Sequence, residues 1–137
     1  MRHIKTYKIF ESNDNVSKNL TEICYELTDG RFGIKIYDEF PGWGSIPGSG
    51  MNVPHVEPDN KILFIYLSDY RDYDGFSFDE VRETVLRVID YLIDSDNAIK
   101  NVSVLSVGEH ERSSINRREI VEHHWFGNLT NLAIIYR

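Results

Sequence analysis

Apolar positions along the chain change period from segment to segment, and each period predicts an element. Between Val16 and Asp29 the residues Val16, Leu20, Ile23, Cys24 and Leu27 recur every three or four positions, which puts them on one stripe of a helix. Gly30 follows where a left-handed C-cap residue ends such a helix. Phe32, Ile34 and Ile36 then alternate with Gly33, Lys35 and Tyr37, the period of a half-buried strand. Ile62 to Leu67 is continuously apolar and rich in β-branched and aromatic residues, as expected of a strand covered on both faces.

The helix expected from Phe78 to about Asp94 carries the most signals. Ser77 and Glu80 have capping-box spacing, and Phe76 and Val81 are placed for a hydrophobic staple. Phe78, Val81, Val85, Val88, Ile89 and Leu92 form its apolar face. Glu83 stands one turn before Arg87, at ion-pair spacing. Val102–Val107 and Leu129–Tyr136 read as strands, with Leu132, Ile134 and Tyr136 on one face. Residues 108–128 fit no single period. Ser114 is placed to cap a short helix running to His123, and an irregular excursion is the alternative.

The order is therefore α-β-β-α-β-β. It predicts an α+β fold, a two-layer sandwich of a four-stranded, mainly antiparallel sheet with two helices on one face, ferredoxin-like or related. Residues 1–11 form a leader and 12–137 a single domain. Within that leader Arg2, Lys5 and Lys8 stand against one acid, Glu11.

Composition narrows the function classes. A net charge of −7 over 137 residues argues against general nucleic-acid binding. The longest apolar run falls far short of the ~20 residues that a membrane span needs. A secretory signal is not expected, because the N-terminus lacks its apolar core. The one cysteine, Cys24, excludes an internal disulfide and sits on the apolar stripe, where a small core residue is expected rather than a nucleophile.

Lys5 to Ser12 has a Lys-bearing amphipathic start and closes on Ile9, Phe10, Glu11 and Ser12. The segment resembles the capsid-targeting peptides of internal head proteins in tailed bacteriophages of the T-even type. Those peptides end in an aliphatic residue, any residue, Glu and a small residue, and a viral prohead protease cuts after the Glu. The resemblance implies processing between Glu11 and Ser12, and a place in the host cytoplasm or the virion interior. It covers about a dozen residues and implies no catalytic activity. The competing reading is a terminal amphipathic turn with Ile4, Tyr7 and Phe10 docked on the domain.

The remaining motifs each carry a plain reading beside a chemical one. Asp69, Asp72, Asp74 and Asp79 crowd Gly75, but calcium-loop spacing would need an acid where Tyr70 stands and a Glu where Val81 stands. His110, His123 and His124 lie among glutamates that include Glu122. They are the catalytic candidates, as general acids or bases. As zinc ligands they match no standard spacing, so no metal and no cofactor are expected. Pro41 to Pro58 is a Gly- and Pro-rich loop without the Gly-Lys-Ser/Thr ending of a phosphate loop. Trp43 within it is a candidate binding aromatic or a packed lid. Trp125 and Phe126 are candidate anchors for a protein partner, and Arg112, Arg117 and Arg118 form the one basic cluster outside the leader.

The expectation is a phage accessory protein that binds a protein partner and does not catalyse. Two alternatives stand beside it. One is a small hydrolase or transferase using the His/Glu cluster of residues 109–124. The other is a small-ligand or nucleotide binder with the 41–58 loop as its lid.

Overall fold

A computed structural model describes residues 13–37, 60–69, 74–109, 111–122 and 127–137. Helix α1 spans Asn13–Ile23, and after a turn at Cys24 a short helix α2 spans Tyr25–Thr28. The predicted single helix is thus broken near its C-terminal end, yet Val16, Leu20, Cys24 and Leu27 all stay buried. Gly30 is no left-handed cap. Its amide donates to the Leu27 carbonyl at 3.1 Å, and the positive-φ glycines among the described residues are Gly75, Gly108 and Gly127.

Strand β1 runs Phe32–Tyr37, β2 Lys61–Leu67 and β3 Phe76–Ser77. A 3₁₀ turn over Phe78–Glu80 leads into helix α3, Arg82–Asp94. Strand β4 spans Ile99–Ser106, β5 Ser113–Ser114, helix α4 Arg117–Val121 and β6 Asn128–Tyr136. The result is an α+β fold with one antiparallel sheet of six strands, ordered β1-β2-β6-β4-β5, with β3 also paired to β6. The expected four strands and the simple α-β-β-α-β-β order are corrected by β3, β5 and α4. Two-residue strands leave no periodic signature, which is why the sequence did not announce β3 and β5. Helix α4 is capped by Asn116, not Ser114, and ends at Val121, not His123.

The sheet has two unlike faces. Leu63 and Ile65 of β2, Val102 and Val104 of β4, and Leu132, Ile134 and Tyr136 of β6 meet the apolar stripes of α1, α2 and α3 in one core. Burying each such aliphatic side chain contributes about 1.5–3 kcal/mol. On the opposite face Ile62, Phe64, Ala133 and Ile135 form a second, smaller buried cluster. Both faces of β2 are therefore buried, as its unbroken apolar run implies. No helix of the described residues is long and apolar enough to cross a membrane.

Candidate functional site

A cavity of about 850 Å3 opens between α2, the start of β1 and the N-terminal end of α3. Its position follows from the capping box. Ser77 Oγ accepts from the Asp79 amide at 3.3 Å, and Glu80 Oε2 accepts from the Ser77 amide at 2.9 Å. This reciprocal pair satisfies amides that a helix start leaves open and fixes Asp79 and Glu80 at the cavity wall. Leu27, Phe32 and Leu86 supply apolar lining.

Two guanidinium groups cross this wall. Arg31 Nη2 donates to the Gly75 carbonyl at 2.7 Å, while its Nε lies 3.5 Å from Glu80 Oε1. Arg82 is buried; it pairs with Asp79, donates from Nε to the Ile120 carbonyl at 3.0 Å and lies over the Phe78 ring at 5.5 Å. Nearby, Arg87 pairs with Glu26 at 3.3 Å, so the expected partner Glu83 is replaced by an acid from α2. The carboxylates of Glu26, Asp79 and Glu80 are all engaged by guanidinium or amide donors. Such an array presents a fixed polar surface over an apolar lining.

The basic cluster of the sequence does not converge. Arg117 Nη2 pairs with Asp90 at 3.0 Å, and Arg118 Nε with Glu122 at 2.9 Å on the same helix. Glu119 closes a capping box with Asn116. Glu122, one of the acid/base candidates, is thus engaged by Arg118 and exposed. Arg112 departs from both and lies over the second sheet face. There Nε donates to Ser103 Oγ at 2.9 Å, Nη2 to the Ser103 carbonyl at 3.2 Å and Nη1 to Asn131 Oδ1, with the Phe64 ring 5.8 Å away. Burial pulls Arg112 down to about 10, which still leaves it a cation at neutral pH.

Trp43 and the 41–58 loop, His110, His123, His124, Trp125, Phe126, Glu11 and Ser12 lie outside the described residues. Among the described residues no three His, Cys, Asp or Glu side chains group as metal ligands. Sequence reading missed the roles of Arg31, Arg82 and the Arg112 network. Arg82 had left a signal: it stands four residues after Phe78, on the apolar stripe of the helix, where a cation must find partners.

Searches for likeness return nothing to compare with this site: no family model, no curated protein and no solved structure matches the chain.

Proposed function

We propose that the chain is an accessory protein of a tailed bacteriophage that binds a protein partner through the groove at the start of α3 and does not catalyse. The observation that carries the binding part is the engagement of Glu26, Asp79 and Glu80 by guanidinium and amide donors around an apolar lining. General acid/base work instead needs a carboxylate or imidazole aimed at a vacant position. The phage part rests on the resemblance of residues 5–12 to capsid-targeting peptides, and it places the protein in the virion interior or the host cytoplasm. For the fold, the antiparallel order β1-β2-β6-β4 supports a ferredoxin-like or related sheet, since β2, α3 and β4 make a split β-α-β unit with β6 between its strands. Fold alone assigns no function.

Mass spectrometry of purified virions tests the reading. The expected result is a chain whose N-terminal residue is Ser12. The partner it carries should be lost when Glu83→Lys reverses an exposed charge lining the groove. Absence of the chain from virions, together with partner capture that ignores Glu83→Lys, would overturn it.

A further inference from the structure

The C-terminal half of α3 ends on a patch separate from the groove. Asp90, Ile93 and Asp94 are all exposed there, and their i, i+3, i+4 spacing puts them on one helix face. Ile93 is 53 % exposed, a large value for an isoleucine. It also lines a second cavity, of about 300 Å3, together with Ile89, Ile99, Ile115, Ile120 and Lys100. An apolar knob and an apolar hole are therefore side by side.

Charge on the patch is divided in the same way. The last turn of α3 carries Asp94 and no basic residue, although the carbonyl end of a helix favours a cation. Arg117, also at the cavity, is taken by Asp90 at 3.0 Å. Lys100 and Asp94 are both exposed and form no ion pair among the described residues.

We propose that this patch binds a second copy of the chain about a two-fold axis. Each copy inserts Ile93 into the other's cavity and sets Asp94 against the partner subunit's Lys100. An isologous contact requires one surface to carry both halves of every interaction. This patch carries knob and hole, anion and cation. Lys100 also supplies the cation that the α3 carbonyl end lacks within its own chain. The proposal stands on residues apart from the groove, so its failure leaves the functional reading where it was.

Sedimentation of the full chain over a dilution series tests it. A reversible dimer is expected, weakened by about tenfold or more by either Ile93→Ser or Lys100→Glu, in the manner of central interface residues. At dilutions where the chain is monomeric, Lys100→Glu leaves the thermal midpoint unchanged because its side chain is exposed, and Ile93→Ser, at a side chain 53 % exposed, lowers it only slightly. The double variant Lys100→Glu/Asp94→Lys regains the wild-type dimer, since the exchanged charges meet again across the axis. A monomer at every concentration overturns the proposal. So does a dimer that Ile93→Ser or Lys100→Glu leaves at full strength, or one that the charge exchange fails to rescue.

Discussion

Gly33 and Tyr66 face each other across β1 and β2, and the tyrosine ring occupies the space a side chain at position 33 would need. A Cβ on Gly33 would lie 2.7 Å from the Tyr66 ring. The glycine is required by this approach and not by its backbone angles. Overpacking of this kind costs about 1–3 kcal/mol, and the lower end applies because Tyr66 is half-buried and its ring can swing outward. Gly33→Ala is expected to lower the denaturant midpoint accordingly. In a Tyr66→Ala background the same change becomes neutral or stabilising, since glycine weakens a strand.

Gly75 is the harsher case. Its φ is +76°, and a Cβ would run into the Leu129 backbone carbonyl, which cannot swing aside as a ring can. Left-handed strain of roughly 1–2 kcal/mol adds to the clash. Gly75→Ala should therefore cost clearly more than Gly33→Ala, and should also disturb the Arg31 contact with the Gly75 carbonyl. Equal denaturation midpoints for the two variants would refute this ordering.

The two capping boxes predict matched losses. Ser77→Ala and Asn116→Ala each remove an acceptor from a helix-start amide, worth about 0.5–2 kcal/mol. Ser77→Ala should also loosen the groove, because the Asp79 amide loses its acceptor where the Asp79 carboxylate pairs with Arg82 at the cavity wall. Faster amide exchange at Asp79 in Ser77→Ala, and none in Asn116→Ala, is the signature.

Helix α3 ends in a Schellman arrangement with Asp96 in the left-handed position at φ 62°. The Asn97 amide donates to the Leu92 carbonyl at 2.8 Å and the Asp96 amide to that of Ile93 at 3.1 Å. Glycine carries no Cβ penalty there, and removing the carboxylate relieves the negative helix end. Asp96→Gly is expected to raise stability by roughly 1 kcal/mol, read as a higher thermal midpoint. A lower midpoint would show that the Asp96 side chain itself holds the turn.

Burial pushes the Cys24 thiol up to about 12 from an ordinary 9.0, with the Arg87 guanidinium pulling the other way. The folded state thus holds the thiol proton more tightly than the unfolded chain does. That contribution is fully present below pH 9 and is lost as pH rises from there toward 12. At pH 8 a thiol reagent should label Cys24 only after denaturation. Cys24→Ala should show a shallower fall of the urea midpoint above pH 9 than the wild type.

Sequence by itself determined the parts of this protein that depend on neighbours a few residues apart. The apolar face of α3, the Ser77–Glu80 box and the two buried faces of β2 were legible because helix and strand periods are local geometry. Tertiary structure decided where those elements meet. It put Arg112 across the second sheet face while Arg117 and Arg118 stayed on α4, because β5 pairs with β4 and turns the chain between them. It gave Arg87 to Glu26 rather than Glu83, because α1 packs on α3 and the α2 turn that follows it brings a second carboxylate within reach. It also built the groove, whose walls come from α2, β1 and α3. Strand order and helix docking rest on contacts between segments far apart in the chain, and no local period encodes which partner a charged side chain finds there.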